Sequence, residues 1–187
     1  MLRKILCKSA AVLALATPLA LAAAPAHAVN VERLMAPAAV CPNQEVLNAP
    51  VATQEQAMRC MTNFARRHMG RAGLSVASPL DWSAEDKSGD IIRCDTFSHE
   101  ACGRRFTFWM QRAGYMRASC WRAGENIAWG TGELGTVRSI FRAWLQSTGH
   151  RENILGAYRQ LGIGLRVGTM DGRHEAHVWT QHFGSHC

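Results

Sequence analysis

Across residues 134–146 the apolar positions Val137, Ile140, Phe141, Trp144 and Leu145 fall at i, i+3, i+4, i+7 and i+8, which is one stripe of a helix. Arg138 and Arg142 take the opposite side, and Gly149 is expected to end the element and leave His150 on a loop. Further on the period drops to two. Leu161, Ile163, Leu165 and Val167 alternate with Gly162, Gly164 and Arg166, and Asp171-Gly172 then supplies a hairpin turn. Residues 174–183 return as the second strand, and residues 124–130 read as another, with Ile127 and Trp129 on one face.

Earlier in the chain the pattern is helical. Ala57, Met58, Met61, Phe64, Ala65 and His68 recur at helical spacing across residues 54–69, and Gly70 and Gly73 end that helix. Asp81 or Ser83 is placed to cap a second helix running toward Cys94, with Trp82, Ile91 and Ile92 on its buried side. Residues 105–112 give a third, shorter helix that buries Phe106, Trp109 and Met110. Residues 29–53 hold Pro37, Pro42 and Pro50 with little periodicity, and read as an irregular N-terminal arm. Helices, a strand, a helix and a terminal hairpin predict an α+β fold. A small antiparallel sheet of about three strands would be flanked by helices on both faces.

Composition adds the compartment. Residues 1–28 read as a signal peptide. Arg3, Lys4 and Lys8 precede an apolar run, and Ala26-His27-Ala28 is a small-x-small cleavage site. The run is shorter than the roughly 20 residues needed to span a bilayer, and no membrane span is expected after cleavage. The chain from residue 29 suits a single domain, over residues 54–187. It carries eighteen basic and fourteen acidic residues, and Lys87 is its only lysine. The arginines are dispersed and not clustered, so no nucleic-acid surface is expected.

Six cysteines follow the signal segment: Cys41, Cys60, Cys94, Cys102, Cys120 and Cys187. An even number in an exported chain reads as up to three disulfides, with fifteen connectivities open. Cys41 with Cys60 is the first pairing expected, tying the arm to the first helix. No Cys-x-x-Cys pair is present to suggest a cysteine metal site.

The unusual polar residues lie in three short stretches: "FSHEACGR" with His99, "GENIAWG" with Glu125, and "TGHRENIL" with His150. Each joins a titratable group to glycine or turn residues near the end of an expected element, where loops on a rigid scaffold can converge. "FSH", "GENIAWG", "AWLQSTGHRENIL", "LGIGL" and "WTQHFG" resemble, in order, the secreted CAP domain. This superfamily holds the cysteine-rich secretory proteins, antigen 5 and the pathogenesis-related-1 proteins, also called SCP-like, and the likeness is to its bacterial branch. The resemblance covers residues 54–184 and includes "MTNFARRHMGRAGL", similar to the family's first helix with its Asn-x-x-Arg signature.

The resemblance implies an α-β-α sandwich with a central cleft holding His99, Glu125 and His150. The eukaryotic pattern has a further glutamate where this chain has Ser147, so the four-residue cluster is incomplete. Arg151 and Asn153 are expected to fix the loop by bonding carbonyls or a carboxylate. The other histidines (His68, His174, His177, His182 and His186) are expected to be structural or to lie at the surface.

Two functions follow. One is a secreted binding module, extracellular or periplasmic and monomeric. In it His99 and His150 hold zinc or another divalent metal, or the cleft takes a small molecule, lipid, glycan or peptide. The alternative is a peptidase-like hydrolase in which a histidine activates a nucleophile and Glu125 orients it. The binding module is favoured over an enzyme. No serine sits on a nucleophile elbow, and the cysteines are expected to be oxidised.

Overall fold

The alternation in "LGIGLRV" becomes strand β3 (Gln160–Met170), and the Asp171-Gly172 turn returns the chain as β4 (Arg173–His186). Both turn residues have positive φ, as a tight two-residue hairpin requires. Strand β2 (Trp121–Gly130) pairs antiparallel with the other side of β4, and a short strand β1 (Ser75–Val76) runs parallel to β3. The sheet therefore has four strands in the order β1-β3-β4-β2. That is one more than the pattern predicts, because two residues are too few to show a period. This computed structural model describes residues 30–186. The expected signal segment, residues 1–28, and Cys187 lie outside the described residues.

Helices cover both faces. Leu161, Ile163 and Leu165 of β3 point to one face with Trp179 and Phe183 of β4. They form the main core with helices α1 (Val51–His68), α4 (Val137–Gln146) and α5 (Thr148–Leu155). The stripe Val137, Ile140, Phe141, Trp144 and Leu145 is buried there as the spacing predicts. Thr136 caps α4, its hydroxyl accepting from the Ser139 N–H. Helix α1 begins at Val51, three residues before the apolar spacing places it, directly after Pro50.

The other face is taken by α2 (Ser78–Arg93) and the short α3 (Thr107–Arg112). Here the expected buried side of the second helix is corrected. Trp82 is 62% exposed, whereas Leu80, Ala84, Lys87, Ser88 and Ile91 are buried. The physical cause lies in β3. A Cβ added at Gly162 would stand 2.1 Å from the carbonyl carbon of Leu80, and one at Gly164 would stand 2.2 Å from that of Ala84. Glycines on the strand let α2 approach backbone to backbone along the side that carries Leu80 and Ala84, and Trp82 lies off that side. Neither Asp81 nor Ser83 is the cap, since the helix starts at Ser78 after an extended Ala77 and carries Pro79 in its first turn.

Disulfides brace the arm and the loop after α2. Cys41–Cys60 ties the N-terminal arm to α1, Cys94–Cys102 closes the loop that carries His99, and Cys120 is also disulfide-bonded. Titration of the unfolded, unreduced protein with a thiol reagent, after removal of residues 1–28, is expected to find no free thiol. Two or more reactive thiols per chain would contradict the oxidised state.

Candidate functional site around His99, Glu125 and His150

The site forms at β2, an edge strand of the sheet. Glu125 lies within β2 and not on a loop. It pairs with His182 of β4 in the antiparallel register, so both side chains point to the α2 face. His99 reaches the same carboxylate from the loop after α2, with Nδ1 2.6 Å from Glu125 Oε1. His182 Nε2 is 2.8 Å from Glu125 Oε2. Each carboxylate oxygen thus accepts one imidazole N–H. The Glu125 side chain is 2% exposed and that of His99 is 53% exposed, so one end of this pair is internal and the other faces solvent.

Burial alone would raise the Glu125 carboxyl. The hydrogen bonds from His182 and His99, with the nearby charges of His182 and Lys87, outweigh it and pull the group down to about 2. Lys87 is itself buried. Its ammonium donates to the Ser98 carbonyl at 2.9 Å and so holds the His99 loop. Burial pushes the Lys87 amine down, and Glu125 and Glu100 oppose that push.

His150 arrives from the other layer, and its expected position is corrected. The chain leaves α4 at Ser147, whose extended backbone both ends α4 and starts α5. Gly149 does not release the chain into a loop. It lies inside α5, and His150 stands in that helix's first turn. Asn126 anchors this turn to β2 by donating to the His150 carbonyl at 3.1 Å. Asn153 donates to the Glu125 carbonyl at 3.1 Å and to Asn126 Oδ1 at 2.9 Å. Arg151 donates to the Leu145 carbonyl at 2.6 Å. Arg151 and Asn153 therefore bond carbonyls, as the sequence predicts. Burial, and then the neighbouring His99, hold the His150 imidazole below the ordinary histidine value. Ser147 is half-buried at the α4–α5 junction, where its carbonyl accepts from the Arg151 N–H.

Residue patterns missed three participants. His182, expected to be structural or at the surface, is fully buried and bonded to Glu125. Ser83, expected as a helix cap, lies 2.7 Å from His182 Nδ1 through its hydroxyl. Lys87 stands out in the sequence only as the single lysine after residue 28. The one available signal was the position of His182 on the helix-facing side of a strand. His68, His174, His177 and His186 bond elsewhere.

As a metal site the donor set is small. Among the described residues no group of three or more His, Cys, Asp or Glu side chains is placed to hold an ion. Both oxygens of Glu125 are engaged by imidazoles, which leaves the rings of His99 and His150 as donors. Two imidazoles fit an open site completed by water or a ligand. They do not fit a closed structural zinc site, which takes four protein ligands.

No family model matches the chain. It is 30% identical over 151 residues to the uncharacterized protein YkwD of Bacillus subtilis, covering 79% of this chain and 54% of that one. The crystal structure of an extracellular protein containing an SCP domain from Bacillus anthracis superposes with a TM-score of 0.58. Its identity is 25%, over 71% of this chain and 40% of that one. An outer surface protein from Borrelia burgdorferi shares the fold at a TM-score of 0.61 and 15% identity, over 74% of this chain and 96% of its own. The chain therefore carries a bacterial CAP, or SCP-like, domain. It spans about half the length of the Bacillus subtilis relative. No helix among the described residues is long and apolar enough to cross a membrane.

Proposed function

We propose that this is a secreted binding module whose cleft, formed by His99, Glu125 and His150, holds a divalent metal such as zinc or a small ligand. The observation that carries the reading is the 2.6 Å bond between His99 Nδ1 and a buried, ionised Glu125. A carboxylate only accepts, so Nδ1 carries the proton and the neutral ring keeps its lone pair on Nε2. An orienting carboxylate behind the ring is the usual support of a ligating histidine. His150 supplies the second donor, and a bound metal would act there as a Lewis acid toward whatever polar group enters. The bridges Cys41–Cys60 and Cys94–Cys102 support an oxidising compartment, as does the extracellular description of the Bacillus anthracis protein. A peptide, glycan or lipid is the small-ligand alternative to the metal at these histidines. The hydrolase reading lacks an accessible nucleophile, because Ser83, the serine bonded to a site imidazole, is 1% exposed.

Calorimetry with zinc tests the reading. The parent protein is expected to bind, and His99→Ala and His150→Ala are each expected to abolish binding, because one imidazole alone is a weak site. Glu125→Gln is expected to weaken it roughly ten- to a hundred-fold, and His174→Ala, beside the hairpin turn, is the control. Protons compete for the imidazole lone pair, so affinity falls as pH drops. If the two histidine variants bind zinc as well as the parent, the pair is not a site.

A further inference from the structure

We infer that His182 is a positioning residue that sets the state of His99 through Glu125, with Ser83 as its anchor. The inference rests on the reading of His99 as a cleft donor. His182 is 0% exposed, so it meets neither solvent nor ligand. Both ring nitrogens are engaged, with Nδ1 2.7 Å from Ser83 Oγ and Nε2 2.8 Å from Glu125 Oε2. Its neighbours along the same face of β4 are Val178 and Thr180, and the latter is bonded to Ser88 of α2. An apolar side chain could fill the place without the cost of burying an imidazole. What an apolar side chain could not do is hold Oε2.

The four side chains make one continuous path. Ser83 comes from α2, His182 from β4, Glu125 from β2 and His99 from the loop after α2. With both oxygens held, the carboxylate cannot turn, and in the ionised form it fixes protons on His99 Nδ1 and His182 Nε2. Ser83 Oγ, 2.7 Å from Nδ1, holds the other edge of the His182 ring and is itself fixed by donating to the Leu80 carbonyl at 2.9 Å. Without His182 one oxygen of Glu125 loses its donor and the carboxylate is free to turn, so its grip on the His99 Nδ1–H weakens. The Nε2–H form of His99 then gains population, and in that form Nε2 has no lone pair to offer the cleft. His182 thus acts on the cleft from a place no ligand can reach.

Nitrogen-resolved NMR of the metal-free, folded protein reads the proton on each ring nitrogen directly. In the parent, His99 is expected as the Nδ1–H form and His182 with a proton on Nε2. His182→Leu is expected to shift His99 toward the Nε2–H form and to weaken zinc roughly ten-fold or more. His182→Gln returns an amide N–H to Oε2 and is expected to restore the parent state, which a merely space-filling role would not require. Ser83→Ala is a milder change at the far anchor and is expected to move the same signals in the same direction. It keeps the question answerable if His182→Leu does not fold.

An unprotonated His99 Nδ1 in the parent would overturn the inference. So would an unchanged His99 tautomer in the folded variants. Absence of zinc binding by the parent would refute the metal reading alone, and the tautomer measurement would still decide the role of His182.

Discussion

Trp144→Ala is expected to cost about 3–5 kcal/mol of stability, the range for truncating a large core aromatic. Trp144 is 1% exposed in the last turn of α4, and its indole N–H donates to the Ile127 carbonyl at 3.1 Å. Truncation therefore removes packing and a hydrogen bond together. It opens a void between α4 and the sheet that a helix pinned by Val137, Ile140, Phe141 and Leu145 cannot close by sliding. For a domain of this size the loss corresponds to a drop in melting temperature of roughly 10–15 °C. Thermal unfolding of the purified variant measures it. An unchanged melting temperature would mean that α4 does not pack on the sheet. Trp144→Phe is expected to lose less, because it keeps most of the volume and gives up the indole N–H.

What the residue pattern revealed and what it hid have separate physical causes. The α4 stripe and the β3–β4 hairpin were legible because each periodicity is complete within one element and ends in a turn with a definite backbone preference. Helix α2 was legible as a helix but not in its orientation. Hydrophobicity ranks Trp82 as a core residue, while the close approach of the Leu80 and Ala84 backbone to Gly162 and Gly164 leaves it outside the interface. That approach is a property of two segments some eighty residues apart. Helix α5 has the sequence pattern of a loop because Gly149 looks like a stop. Asn126 holds the turn from β2 by its bond to the His150 carbonyl, and nothing within "TGHRENIL" announces that partner. The site divides the same way. His99, Glu125 and His150 were found through the motifs that carry the family resemblance. His182 gains its meaning only from the register that sets it opposite Glu125, and a single strand's pattern holds no information about register.

Arg66→Met is expected to destabilise the domain by about 3–5 kcal/mol and to disturb His150 from a distance. Arg66 belongs to the Asn-x-x-Arg stretch of α1 and is 2% exposed. Its guanidinium donates to the carbonyls of Ala72 at 2.8 Å, Ile154 at 2.7 Å and Gly156 at 2.9 Å, and to that of Tyr158 at 3.4 Å. These acceptors lie after α1 and along the connection from α5 to β3, so one side chain ties together segments that share no strand pairing. Burial lowers the guanidinium from its ordinary value, with help from Arg71. The group nonetheless stays charged, since arginine does not lose its proton in proteins.

Methionine keeps the apolar stem of Arg66 and removes every donor. The buried Ile154 carbonyl is then left unpartnered, at about 1–3 kcal/mol, and the other three must find water where the chain allows it. Arg66→Lys is expected to recover only part of the loss, because a single ammonium cannot span the planar fork of acceptors. The consequence for the cleft follows from chain order, since Ile154 and Gly156 lie four and six residues after His150. Loosening the end of α5 should weaken zinc in Arg66→Met under conditions where the variant is still folded. Denaturant unfolding gives the first number and calorimetry the second. Parent-like stability would remove Arg66 as the tie between α1 and α5. Lost stability with parent-like zinc affinity would show that Asn126 and Asn153 alone are enough to hold His150 in place.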